Sequence, residues 1–356
     1  VSLRVVPHSY FAHDKAATRP TGENTLTQDL IQNIVSEEVD FGGGAAKAAA
    51  EEHIPVLLRE VLHTLIQSDS GTYVDGTYGR GGHCRAMLAR LAPTAKMIGV
   101  DRDPEAVNNA QALVEKDSRF SIFHARFSQL SEVLSEAGID AGAQGILLDI
   151  GVSSPQLDDS SRGFSFNADG PLDMRMDPTQ GMSAAQWLNT ADEEDIAKVL
   201  FIHGEERSSR RIAKNIVAAR PLSTTLQLAD IVEACVPRNR NNMAKHPATK
   251  TFQAIRIFIN EEDSELREGL EHAFAALAIG GRLAVISFHS LEDRQVKHVF
   301  RGLSRPPAMP RRLPVRHSEQ GVRARLIGKG VKAQSDELAT NPRARSATLR
   351  VIERVC

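Results

Sequence analysis

Asp75-Gly76-Thr77-Tyr78-Gly79-Arg80-Gly81-Gly82-His83 follows the short apolar run Gly71-Thr72-Tyr73-Val74 and ends where a helical pattern begins. Four glycines in seven positions let backbone approach a ligand with no Cβ in the way, and a helix starting near Gly82 points unpaired N–H groups at it. Asp101 closes the next apolar run, Met97-Ile98-Gly99-Val100, and is the type of group that accepts hydrogen bonds from two ribose hydroxyls. A nucleoside cofactor is the first expectation. The spacing G-x-x-G-x-G-G departs from the dinucleotide pattern G-x-G-x-x-G, and Asp75 would repel a pyrophosphate. An acid at this place suits the cationic amino-acid end of S-adenosylmethionine. A nicotinamide oxidoreductase is correspondingly disfavoured.

A second group of residues carries acceptor chemistry. Leu147-Leu148-Asp149-Ile150-Gly151-Val152-Ser153-Ser154-Pro155-Gln156 puts a carboxylate, two hydroxyls and a proline at a strand end. An exocyclic base amine is a poor nucleophile because its lone pair is delocalised into the ring. An enzyme must therefore accept hydrogen bonds from it and aim it, and Asp149, Ser153, Ser154 and the backbone at Pro155 can do so. A plain Ser turn closing a strand is the alternative. Phe288-His289-Ser290-Leu291-Glu292-Asp293 opens a helix, with Ser290 expected as N-cap, Asp293 as its capping-box partner, and His289 at the same rim. In the loop after the serines, Phe164 or Phe166 can stack on an extruded base or simply anchor the loop. Lys250, Arg256 and Asn260 are the ligand-contact candidates in an otherwise apolar helix.

These residues need a frame. Strands are predicted at Thr72–Asp75, Met97–Asp101, Phe120–His124 and Gly145–Ile150, alternating with helices at 82–92, 104–116 and 128–138, which makes a parallel sheet with right-handed crossovers. Residues 156–250 show helical patterns without a strand and read as a helical insertion. Helices at 249–260 and 264–276 bring the chain back to a buried strand at 282–287, with edge strands near Arg325–Gly328 and Thr348–Arg354. The expected organisation is a sheet domain of residues 53–155 and 251–356, the insertion at 156–250, and residues 1–52 as a flexible N-terminal extension, its end open to processing or truncation.

With 356 residues, 41% hydrophobic and 25% charged, the composition is that of a globular protein. The three cysteines, Cys84, Cys235 and Cys356, form no C-x-x-C pair, so neither a disulfide framework nor a thiolate metal site is expected, and a reducing compartment is. No window approaches the ~20 apolar residues of a membrane span. The net charge of −2 hides an asymmetry: Arg301, Arg305, Arg311, Arg312, Arg316, Arg323, Arg325 and Lys329 face one acid, Glu319, over that stretch. Such a strip is either a phosphate-binding footprint or a solvated loop.

Taken together, the glycine turn, Asp101-Arg102-Asp103-Pro104, the run from Asp149 to Asp158, Arg162-Gly163-Phe164-Ser165-Phe166, Gly170 to Asp177, Lys250-Thr251-Phe252-Gln253-Ala254, Ser287 to Arg294 and Asn341 to Ser346 resemble, in the same order, the bacterial 16S ribosomal RNA cytosine-N4 methyltransferases. The likeness spans about His53 to the C-terminus. It implies a class I, Rossmann-like S-adenosylmethionine-dependent methyltransferase fold, an α/β architecture with a mostly parallel sheet and a helical insertion. The implied substrate is a cytidine in the decoding region of 16S rRNA, free or in the small ribosomal subunit, and the implied location is the cytoplasm. A homodimer stays open. By motif, the cofactor contacts would be Gly81, Gly82 and His83 at the methionine portion, Asp101 at the ribose, Phe127 near the adenine, and Asp149 and Gln156 where sulfonium meets base. Asp149, Ser153, Ser154 and Pro155 would hold the amine and His289 would orient the base, without a metal. A DNA amino-methyltransferase and a non-catalytic RNA-binding protein with a vestigial cleft are the competing expectations.

Overall fold

A computed structural model describes residues 55–236, 246–305 and 321–356. The expected N-terminal extension, and Arg311, Arg312, Arg316 and Glu319 of the basic strip, lie outside the described residues.

Seven strands form one sheet in the order β3-β2-β1-β4-β5-β7-β6. They are β1 (Thr72–Asp75), β2 (Lys96–Asp101), β3 (Phe120–His124), β4 (Ala143–Asp149), β5 (Leu277–Ser287), β6 (Ala324–Val331) and β7 (Thr348–Arg354). β1 to β5 run parallel, and β7 inserts antiparallel between β5 and β6. Strand order reverses between β1 and β4, and that switch point opens a crevice beyond the carboxyl ends of the strands. Register brings the acids to it: Asp75 pairs with Gly99 and with Leu147, so Asp101 and Asp149 each lie two residues further along the neighbouring strands.

Alternate strand residues feed two apolar layers. Tyr73, Leu147, Ala284 and Ile286 pack on one side with helices α1 (Leu58–Leu65), α2 (Gly82–Leu88) and α3 (Pro104–Lys116). Val74, Ile146, Leu148, Leu283 and Val285 pack on the other with α4 (Leu130–Glu136), α11 (Glu262–Ala275) and α12 (Ser290–Leu303). Between β4 and β5 the chain makes α5 (Ser154–Asp158), α6 (Ala184–Thr190), α7 (Glu193–Gly204), α8 (Ser209–Ala218), α9 (Thr225–Cys235) and α10 (Thr249–Ile259). A third apolar cluster, including Phe164, Met174, Trp187, Leu200, Ile212, Leu228 and Phe252, holds these helices. No helix among the described residues is long and apolar enough to cross a membrane.

Helix α12 departs from expectation by one residue. Its N-cap is His289, with Glu292 as the reciprocal partner, and Asp293 instead forms a bidentate pair with Arg350 at 2.7 and 3.0 Å. The longer Glu292 side chain reaches back to the N–H groups of Phe288 (2.8 Å) and His289 (3.2 Å), which the shorter Asp293 does not. Leu58–Leu65 and α13 (Ser335–Thr340) are helices that the periodicity did not single out.

Leu148 is fully buried in the second layer directly beneath the acids. Truncation to alanine is expected to destabilise the protein by about 2–5 kcal/mol, read from chemical denaturation.

Candidate active site

The turn after β1 is fixed by backbone bonds. Gly76 N–H donates to the Leu147 carbonyl at 2.9 Å and Tyr78 N–H to the Val100 carbonyl at 3.0 Å, tying the loop to both neighbouring strands. Gly79 N–H donates to Asp101 Oδ2 at 2.7 Å. Gly81 has φ 71°, and a Cβ there would fall 2.5 Å from the Tyr78 ring, so both backbone shape and space call for glycine. The Asp101 carboxylate also accepts from Asp103 N–H at 2.8 Å. Each of its oxygens thus takes one backbone proton and keeps a lone pair for a ligand.

A cavity of about 450 Å³ lies over these groups, within the range of roughly 300–1,000 Å³ that small ligands occupy. Among its walls are Thr77, Gly79, Gly82, His83, Asp101, Phe127, Asp149, Ser153, Ser154, Pro155, Gln156 and His289. Of the residues that the resemblance assigns to the donor and the amine, Gly81 alone is not in this wall. Glu292 also lines it, as do Asn341, Arg343 and Ser346 of the C-terminal motif. The antiparallel insertion of β7 brings those last three there, a long-range consequence of topology that no local pattern announces.

The cleft is short of positive charge. Arg80 pairs with Glu105 at 2.5 Å, Arg256 forms a bidentate pair with Glu262 at 2.7 and 2.8 Å, and Arg102 donates to the Asn260 carbonyl at 2.8 Å. Burial raises all three strand-end acids: Asp75 to about 7, with Asp101 adding to the effect; Asp101 to about 6; and Asp149 to about 8, with Asp75 and Glu292 adding. Asp149 Oδ1 is buried without a hydrogen-bond partner among the described residues. Its Oδ2 lies 3.7 Å from His83 Nδ1. His83 Nε2 is 3.0 Å from the Val56 carbonyl, which can only accept, so the proton sits on Nε2 and Nδ1 is bare. Burial lowers His83 to about 4, keeping it neutral. An orphaned carboxylate oxygen in an acidic cavity fits a cationic ligand.

Gln156 holds the serine turn. Its Oε1 accepts from Ser153 N–H at 2.9 Å and its Nε2 donates to Asp103 Oδ2 at 2.7 Å. Arg162 approaches the same Asp103 oxygen at 2.9 Å and donates to the carbonyls of Arg175 (3.2 Å) and Met176 (2.9 Å). The serine turn, the Asp101–Asp103 loop and the loop at residues 162–176 are thereby one hydrogen-bonded unit. At the far rim, His289 Nδ1 accepts weakly from Glu292 N–H at 3.4 Å, while Nε2 stands 2.8 Å from Glu292 Oε1 but makes no hydrogen bond.

Other candidates are structural. Phe164 is 6% exposed in the helical cluster, and Phe166 stacks on His246 and meets Phe252 edge to face, so neither lines the cleft. Asn260, 2% exposed, clamps Met174 and Met176 backbone at 2.7 Å. Lys250 is exposed beside a second groove, and Arg256 reaches the cleft wall already paired.

A parallel sheet with an antiparallel edge strand, a glycine turn, a ribose-type acid and a cation-seeking cleft at the switch point define a class I S-adenosylmethionine-dependent methyltransferase. Residues 50–355 match the MraW methylase family, and the chain belongs to it. The ribosomal RNA small subunit methyltransferase H of Nitrosococcus oceani is 53% identical over 306 residues, covering 85% of this chain and 96% of its own. That of Pseudoalteromonas atlantica is 50% identical over 308 residues, covering 85% and 98%.

Donor binding is expected to tighten as pH rises from about 6 to about 8, because a bound cation favours the ionised forms of acids whose pKa values lie raised in the empty cleft. Calorimetry with S-adenosylmethionine in buffers of different ionisation enthalpy checks this by the protons released. Asp149→Asn should weaken binding and remove the upper part of the pH dependence. By the same linkage the ligand-free protein, which binds more protons than its unfolded chain in this window, loses stability as pH rises through it.

Proposed function

We propose that the protein transfers the methyl group of S-adenosylmethionine to the exocyclic N4 amine of a cytidine in the decoding, P-site region of 16S rRNA. The observation that carries the reading is Asp149, which lines the donor cleft beside the Ser153-Ser154-Pro155 turn and whose buried Oδ1 has no hydrogen-bond partner among the described residues. Relatives named as small-subunit rRNA methyltransferases supply the substrate class. Their names weigh against a DNA substrate, and the unspent acceptor weighs against a vestigial cleft.

The donor supplies an electrophilic methyl on a sulfonium. Gly82 and His83 backbone would hold its amino-acid end, Asp101 its ribose and Phe127 its adenine. Asp149, the serine hydroxyls and the backbone around Pro155 accept the N4 hydrogens, turning the nitrogen lone pair out of the ring plane toward the methyl. Asp149, ionised once the cationic donor is bound, then takes the proton the amine sheds. His289 orients the extruded base. Residues 53–155 and 251–356 are read as the donor domain, residues 156–250 as a helical insertion, and the cytoplasm as the location.

Two measurements test the reading. Nucleosides of 16S rRNA from cells lacking the gene should lose N4-methylcytidine by mass spectrometry and regain it on complementation; an unchanged nucleoside profile would contradict the assignment. With purified protein, Asp149→Ala should lower kcat by about 10²–10⁴, the usual range for a positioned proton acceptor. Gln156→Ala, which frees the serine turn, should reduce kcat while the donor remains bound.

A further inference from the structure

A second groove, about 910 Å³ in volume, adjoins the donor cleft. It is lined by α12, by β6 and β7, and by residues around the start of α10. The two cavities have three residues in common, Phe288, His289 and Ser346. Their charges are opposite. Where the donor cleft gathers acids, the groove carries Lys250, Lys297, Arg301, Lys329 and Lys332, all exposed. Lys250 donates to the Glu205 carbonyl at 3.1 Å. The side chains of the other four make no hydrogen bond or ion pair among the described residues. Of the two acids in the wall, Asp293 is consumed by Arg350, and Glu205 lies 4.0 Å from Arg294.

We propose that this groove is the track for the ribose-phosphate backbone of a single-stranded RNA segment, from which the target nucleotide turns inward past Phe288 to the donor. The proposal rests on the methyltransferase reading above and adds the binding site for the polymer. Electrostatics sorts the two ligands. Phosphates are drawn to unpaired ammonium and guanidinium groups and repelled from the acidic cleft, whereas a neutral base can cross between them. The crossing point is built for a base. Phe288, half-buried, lines both cavities, and base–aromatic stacking suits a nucleotide out of its own stack. The Glu292 carboxylate fixes the Phe288 backbone, and its Oε1 stands 2.8 Å from His289 Nε2. Four of the five cations stand on α12 and β6 or just beyond it, so one rigid face spaces the phosphate contacts. Only Arg301 and Lys329 belong to the basic strip expected from sequence; Lys297 and Lys332 join them through the fold.

The test measures binding of a fluorescently labelled mixed-sequence single-stranded RNA oligonucleotide to the full chain between 50 and 200 mM salt, on the order of the range over which such contacts respond. The double variants Lys329→Ala/Lys332→Ala and Lys297→Ala/Arg301→Ala are compared with wild type, with calorimetry of S-adenosylmethionine as the control for folding. Each pair should weaken RNA binding by about 10-fold or more and lower the salt slope by about 1.4, at ~0.7 per lost single-strand contact. Donor affinity should be unchanged, and in tritiated-methyl assays KM for rRNA should rise more than kcat falls. Wild-type RNA affinity and slope in both pairs, with donor binding intact, would overturn the track. If the variants lose RNA binding while the wild-type product proves to be something other than N4-methylcytidine, the track stands and the cytidine-N4 reading falls.

Discussion

The structure turns on a concentration of like charge only partly countered. Three parallel strands end in Asp75, Asp101 and Asp149 at one edge of the sheet, where burial makes ionisation of each unfavourable and where Arg80 and Arg256 are already paired with Glu105 and Glu262, leaving Arg102 beside Asp101. Such an arrangement stores a preference for a cation. The glycine turn, the Gln156 clamp and the Phe127 wall keep the groups at fixed spacing, so the preference is for a ligand of one shape. Methyl transfer from a sulfonium uses that preference directly, since binding the donor relieves the acids it neutralises.

Much of this was readable in local pattern. β1 and β3 have the bounds that apolar runs and turn residues indicate, and α3 and α9 follow from cap and period. Asp101 and Asp149 were legible because a parallel sheet forces carboxyl-end residues to one edge. Where expectation missed, a longer-range interaction decided. His289 displaced Ser290 as N-cap because Glu292 reaches two backbone N–H groups at once. Phe164 and Phe166 sit in a loop of turn residues beside the site, but their own apolar surface is used by the helical cluster. Asn341, Arg343 and Ser346 could not be placed from sequence, because only the antiparallel insertion of β7 carries the segment before it back over the cleft.

The same topology explains why two cavities of opposite charge meet. Strand β5 ends at the cleft and continues into Phe288 and His289, which begin α12; α12 and the β6–β7 pair then form the basic face. One crossover therefore gives the cleft its rim and the groove its floor. A rigid scaffold that brings a cationic donor and a polyanionic substrate to either side of one aromatic residue needs no large motion to hold them apart before reaction.

A crystal structure of the protein with S-adenosylhomocysteine and cytidine tests the central claim most directly. The account predicts the ribose hydroxyls on Asp101 and the amino-acid portion over the glycine turn. It also places cytidine N4 within about 3.2 Å of Asp149 Oδ1 or the Ser153–Pro155 backbone, on the side of the sulfur where the methyl would be. A ligand seated outside this cleft, or a cytidine whose N4 faces away from Asp149 and the serine turn, would contradict it.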